Sequence, residues 1–110
     1  RPYLFEMLDE LSKDFELIIY TCGTAPYAKA FADSVEKLGK RPYFDHILSK
    51  QHCLYSIENE IFIKDLKILE SNRSLKEILI VDNNMQSFFL QITNGIPIYD
   101  YRGDKKDSLL

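Results

Sequence analysis

Residues 77–82 (EILIVD) hold an unbroken apolar stretch of four, rich in isoleucine and valine, that stops on an acid and is followed at once by two asparagines. Such a run has no polar face to offer water, which is the pattern of a strand covered on both sides in a parallel sheet. Residues 15–20 (FELIIY) repeat the pattern and end at Thr21. Parallel neighbours cannot be joined by a hairpin and need a crossover, usually a helix, so two such strands in one short chain predict alternating strands and helices. In open sheets of this kind ligands gather beyond the carboxyl ends of the strands. Thr21-Cys22-Gly23-Thr24 and Asp82-Asn83-Asn84 occupy those ends, with Lys64-Asp65 between them in sequence.

The segments around the two runs supply the helices. Leu4, Leu8 and Leu11 recur at helical spacing just after Pro2, predicting an amphipathic helix over residues 2–13. Tyr27, Phe31, Val35 and Leu38 predict a second helix that Gly39 ends, with Lys37 and Lys40 near its negative pole. Phe88, Phe89 and Ile92 predict a third, closed by Asn94-Gly95. A last strand over 96–101 and a helix capped by Asp104 follow, while 47–48, 53–55 and 61–63 read as short strands or loop. Tyr3, Phe5, Phe31, Phe44, Phe62, Phe88 and Phe89 are expected mostly in the core. The sum is one α/β domain over residues 1–110, a parallel sheet flanked by helices in the Rossmann-like manner.

With 45% hydrophobic and 28% charged residues the chain is composed like a folded globular protein rather than a disordered one. A net charge of -3 lacks the basic footprint of a nucleic-acid binder, so no direct nucleic-acid contact is expected. No apolar run reaches the roughly 20 residues of a membrane span. Cys22 and Cys53 lack disulfide-framework spacing and suit a reducing compartment. Neither begins a thiol-phosphatase loop, which needs an arginine after five intervening residues; Cys22 meets Ala28 there and Cys53 meets Asn59. Thr24 is better placed than Thr21 to cap the second helix.

The polar clusters have the makings of a phosphoryl-transfer site, which needs donors for phosphate oxygens, a fixed cation and hard oxygen ligands for a metal. Thr21 offers a hydroxyl, and the amides of Cys22 and Gly23 lie near a helix N-terminus that favours an anion. Lys64 offers a point charge. Asp82 and Asn83 present a carboxylate and an amide oxygen on consecutive residues, suited to a magnesium ion.

The order of segments resembles the phosphatases that act on the C-terminal repeats of RNA polymerase II and their small-phosphatase relatives, within the haloacid dehalogenase superfamily. The match is carried by Arg1-Pro2, FELIIYT at 15–21, Tyr27-Ala28, HC-x-Y at 52–55, FIKDL at 62–66, ILIVDN at 78–83, Ser87-Phe88, NGIPI at 94–98 and the acidic turn near Asp104 and Asp107. It covers nearly the whole chain. It implies that Thr21, Lys64 and the Asp82-Asn83 pair stand at the family's second, third and fourth motifs, and that Thr21, Lys64 and Asp82 share one cleft. It further implies Mg2+ as cofactor, a phosphorylated protein or peptide as partner, and transfer of the phosphoryl group from phosphoserine or phosphothreonine to an aspartate before hydrolysis.

The first motif of that family, a central strand ending DxDxT that carries the nucleophile, occurs nowhere in the 110 residues and is expected upstream of Arg1. The chain by itself is accordingly expected to be poorly folded and inactive. Asn84-Met85 stands where small relatives carry Ser-Pro, and Ser49-Lys50-Gln51 where many carry an aromatic, an arginine and a glutamate. Lys50 keeps the charge for substrate binding but loses the bidentate fork of arginine. A second function, a non-catalytic protein-binding module, is implied by the import-receptor relative of mitochondria, which keeps the fold and loses catalytic residues. The first reading implies a nuclear or cytoplasmic setting, the second a mitochondrial one; neither fixes the oligomeric state.

Overall fold

The computed structural model describes residues 3–98, which form two compact units, 3–51 and 52–98.

In the first unit, helix α1 (Leu4–Leu11) starts from Tyr3, whose backbone is left-handed at φ 66°. Strand β1 (Ile18–Tyr20), helix α2 (Ala25–Gly39) and strand β2 (His46–Leu48) follow, and β1 and β2 pair in parallel with Ile19 opposite Ile47. Leu8, Val35 and Tyr43 are the buried centre, surrounded by Leu4, Phe5, Met7, Leu17 and Phe44. Thr24 caps α2 by accepting from the Tyr27 amide at 3.4 Å, and Pro26 occupies the first turn, where its missing N–H costs nothing. Strand β1 is shorter than the apolar run that announced it; Phe15 lies outside it and is half exposed.

The end of α2 differs from the expected glycine stop. Gly39 is its last helical residue, and Lys40 takes the left-handed conformation at φ 60° while its N–H donates to the Glu36 carbonyl. Gly39 is required for space, because a Cβ there would lie 2.4 Å from the Tyr43 ring and 2.9 Å from that of Phe5. The loop that brings Tyr43 in is tied by Glu36, whose Oε2 accepts from the amides of Tyr43 (2.7 Å) and Phe44 (3.0 Å). Burial, and then the Asp9 carboxylate to which the phenol donates, raise the Tyr43 pKa above its ordinary value, and Arg41 lies 4.9 Å over the ring. Gly39→Ala overpacks this cluster and is expected to cost about 1–3 kcal/mol. A urea-unfolding midpoint equal to the parent's would show that the ring has room to move.

The second unit opens with an antiparallel hairpin of β3 (Leu54–Ser56) and β4 (Ile61–Ile63), its turn helped by Glu60 at φ 54° and its strands by the Tyr55 and Phe62 rings 5.0 Å apart. Short 3-10 turns at Leu66–Leu69 and Leu75–Glu77 are capped by Asp65 and Ser74. Strand β5 (Ile80–Asp82) pairs in parallel with β6 (Gly95–Pro97), and a 3-10 stretch, Met85–Asn94, joins them. Leu66, Ile80 and Phe88 form the core, with Leu69, Leu75 and Ile78 against it.

The joining stretch corrects the expected third α-helix. Its backbone leaves helical values at Phe88 and Gln91, and Ser87, Phe88 and Gln91 are buried while Asn94 is half-buried. The short 3-10 turns are broken at Phe88 and Gln91, so no continuous helical face runs from 85 to 94. Phe89 and Ile92, which an α-helical repeat would have turned inward with Phe88, are 45% and 47% exposed. The expected aromatic core narrows likewise: Phe88 is buried, Phe5, Phe44 and Phe62 are half-buried, and Tyr3, Phe31 and Phe89 are exposed. In β5 burial alternates, with Ile80 and Asp82 buried and Val81 exposed, so one face of the strand is open among the described residues. The expected strand residues 99–101 and the Asp104 cap lie outside the described residues. The architecture is α/β with parallel strands and helices, and no described helix is long and apolar enough to cross a membrane.

Candidate functional site

In the second unit, the end of β4 delivers Lys64 and the end of β5 delivers Asp82, 18 residues further along the chain. The Lys64 ammonium donates to Asp82 Oδ2 at 2.5 Å, with the two side chains only 12% and 7% exposed. Both partners are held from behind. Asp82 Oδ1 accepts from the Asn84 amide at 2.9 Å, a local turn that fixes the carboxylate plane, and Asn84 in turn caps the next segment through the Gln86 amide. The Lys64 amide donates to the Ser87 carbonyl at 2.7 Å. Asn83 stands exposed beside Asp82. Charges this far from water are costly unless paired, and here each is paired with the other at contact distance.

In the first unit, Thr21, Cys22, Gly23 and Lys50 come together through the backbone. The Thr21 amide donates to the Leu48 carbonyl at 3.0 Å, extending the ladder of β1 and β2 by one step, and the Lys50 amide donates to the Gly23 carbonyl at 2.8 Å. Thr21 Oγ1 accepts from the Gly23 amide at 3.1 Å, so that amide, expected to face an anion, is turned toward the threonine instead. The Tyr27 ring lies over Gly23, 2.7 Å from where a Cβ would stand. Thr21 and Cys22 are half-buried and the Lys50 residue is exposed.

The donor set at Asp82 and Asn83 is hard oxygen, the type that magnesium takes. Each carboxylate oxygen of Asp82 accepts one described hydrogen bond and has a second lone pair. No three His, Cys, Asp or Glu side chains converge among the described residues, so these residues fit one carboxylate's share of a magnesium shell rather than a complete cage. Magnesium accepts that arrangement, filling its remaining positions with water and phosphate oxygens.

Gln91 is a residue that sequence reasoning did not single out. It is buried and makes two hydrogen bonds to the segment after Lys64: its Oε1 accepts from the Leu66 amide at 3.0 Å and its Nε2 donates to Asp65 Oδ1 at 2.8 Å. The signal available was a lone polar residue among Phe88, Phe89, Leu90 and Ile92.

The NLI interacting factor-like phosphatase family model matches residues 1–110. The CTD small phosphatase-like protein 3 of Caenorhabditis elegans is 36% identical over the whole chain, which spans 36% of that relative's length. The TIM50 subunit of the mitochondrial import inner membrane translocase of Candida glabrata is 32% identical over the whole chain, which spans 21% of its length. Among solved structures, a variant of the fission yeast RNA polymerase II CTD phosphatase Fcp1 bound to beryllium fluoride superposes with a TM-score of 0.71 at 28% identity, over 92% of this chain and 26% of that one. The chain belongs to the NLI interacting factor-like phosphatase family.

Proposed function

We propose that the chain supplies the charge-handling part of a protein serine/threonine phosphatase that acts by way of an aspartyl phosphate on phosphoserine or phosphothreonine peptides, of which the RNA polymerase II C-terminal repeats are the model substrate. The observation that carries this reading is the buried Lys64–Asp82 pair with Asn83 beside it. A lone buried ion pair contributes little to stability over an apolar replacement, so its presence at two strand ends is better explained by chemistry that needs a fixed cation next to a fixed carboxylate. Family membership supports the same reaction class.

In this reading Lys64 holds its charge toward the transferring phosphoryl group, and Asp82 and Asn83 present oxygen to Mg2+, which when bound neutralises phosphate charge. Thr21 contributes a hydroxyl, whose oxygen accepts from the Gly23 amide. Lys50, with Cys22 and Gly23 next to it through the backbone, contacts the phosphopeptide as a point charge. This reading requires a nucleophilic aspartate in a DxDxT motif, which these 110 residues do not contain.

A second reading, a non-catalytic module that binds protein, is favoured by the similarity to TIM50. Phosphate release by the full-length protein separates the two. We expect magnesium-dependent hydrolysis of a phosphoserine or phosphothreonine peptide, and in Asn83→Ala a rise of about tenfold or more in the magnesium concentration for half-activation, the usual effect of losing a supporting ligand. No phosphate release at saturating magnesium from a protein that carries both upstream aspartates would leave the binding module as the answer.

A further inference from the structure

We infer that Gln91 is the positioning residue for Lys64: its amide side chain clamps Asp65 and Leu66 and so sets the direction in which the lysine leaves the backbone. Lys64 is held on both sides by the same 3-10 stretch. Before it, its own amide donates to the Ser87 carbonyl; after it, the Leu66 amide donates to Gln91 Oε1 while Gln91 Nε2 donates to Asp65 Oδ1. Asp65 Oδ1 also accepts from the Lys67 amide at 3.0 Å, which starts the turn that carries the chain away from the site. The Gln91 backbone, at φ -130° and ψ 59°, breaks the 3-10 run at that residue, and its side chain is buried against the segment.

A glutamine suits this place because one of its atoms must accept and the other donate. A leucine would leave the Leu66 amide without an acceptor in a buried position. A glutamate would set a carboxylate against that of Asp65, a like-charge contact that pushes the segment away. The side chain of Lys64 is long, so a small rotation of the backbone at residues 64–66 moves the ammonium away from Asp82, and a misplacement of about 1 Å at a reacting group costs up to a hundredfold in rate.

The kinetic part of this inference rests on the phosphatase reading, whereas the geometric part does not, and the test separates them. In the full-length protein with 15N-labelled lysine, the Lys64 ammonium bonded to Asp82 is expected to give a protected NMR signal, assigned by its absence in Lys64→Arg. Gln91→Glu is expected to lose that signal and to lower kcat by about tenfold to a hundredfold while KM changes little, as for a group that positions a charge felt in the transition state. The reversed pair Asp65→Asn/Gln91→Glu restores the bond between the two side chains with donor and acceptor exchanged and keeps an acceptor for the Leu66 amide, while the nitrogen that replaces Asp65 Oδ1 no longer accepts from the Lys67 amide; signal and kcat are expected to return in part, toward those of Asp65→Asn alone. A merely structural glutamine would move KM, kcat and melting temperature together and would leave the Lys64 signal intact in the folded fraction. An unchanged signal in Gln91→Glu overturns the inference, as does a loss of which the reversed pair recovers nothing toward Asp65→Asn alone. If the parent protein hydrolyses nothing while the signal is lost and restored as described, the clamp stands and the phosphatase reading fails.

Discussion

If the full-length protein is the proposed phosphatase, Lys64→Ala is expected to lower its kcat toward a phosphopeptide by about a hundredfold to a thousandfold, the range found when one preorganised donor to a developing charge is removed. KM is expected to stay within roughly threefold, because a fixed charge aimed at the moving phosphoryl group is felt mainly in the transition state. The structure adds a second consequence. Asp82 is 7% exposed and accepts the lysine on one oxygen, so removing the ammonium leaves a buried carboxylate held only by the Asn84 amide among the described hydrogen bonds. Breaking a buried pair from one side costs about 3–5 kcal/mol of stability. Activity is therefore compared at a temperature where circular dichroism shows both proteins folded, and the melting temperature of Asp82→Asn/Lys64→Met, which removes both charges, shows how much of the stability loss in Lys64→Ala comes from the carboxylate left unpaired. Unchanged turnover in folded Lys64→Ala at saturating substrate would refute the role given to the lysine. A protein of the binding-module kind has no turnover to lose and would show only the fall in stability.

Much of this pair was legible in the sequence, and the reason is physical. A strand end is where an apolar run meets its first charged residue, so 78–82 named Asp82 without any knowledge of packing, whereas Lys64, by itself an ordinary surface lysine, stood out only through the family resemblance of FIKDL at 62–66. The strand-end rule also placed Thr21, and the capping preferences placed Thr24. What stayed hidden depends on residues far apart in the chain. Glu36 reaches the amides of Tyr43 and Phe44, and Asn94 donates to the carbonyls of Leu75 (2.6 Å) and Ile78 (2.8 Å). No periodicity records such bonds. The breaks at Phe88 and Gln91 were hidden because Phe88, Phe89 and Ile92 satisfy an α-helical repeat; the decision falls to which residues find partners, and Gln91 and Asn94 find them in residues 65–78. Gly39 reads as a helix stop in either case, yet its use is to admit the Tyr43 ring.

Gly95→Ala is expected to be the most damaging single-methyl change in the second unit. A Cβ at residue 95 would lie 1.9, 2.2 and 2.6 Å from three carbons of the Phe88 ring, closer than any nonbonded carbon pair tolerates. Phe88 is 1% exposed and packs with Leu66 and Ile80, so the ring has no solvent side to swing toward. The alternative is to move β6, but Gly95 sits opposite Ile80 in the parallel pair, and the same ladder ends with the Ile98 amide donating to the Asp82 carbonyl at 3.1 Å. Relief by either route disturbs the core or the strand that presents Asp82. Overpacking a core costs about 1–3 kcal/mol and sometimes more, and with neither side able to yield the loss belongs at the upper end, near the roughly 3–5 kcal/mol of removing a buried phenylalanine ring outright. Shrinking the ring tests the cause: Phe88→Leu in the Gly95→Ala background should recover part of the loss, with a coupling of about 1–3 kcal/mol between the two sites, as for residues in direct contact. Additive losses in that cycle, or a Gly95→Ala protein that melts with its parent, would show that the Phe88 ring does not rest on the glycine.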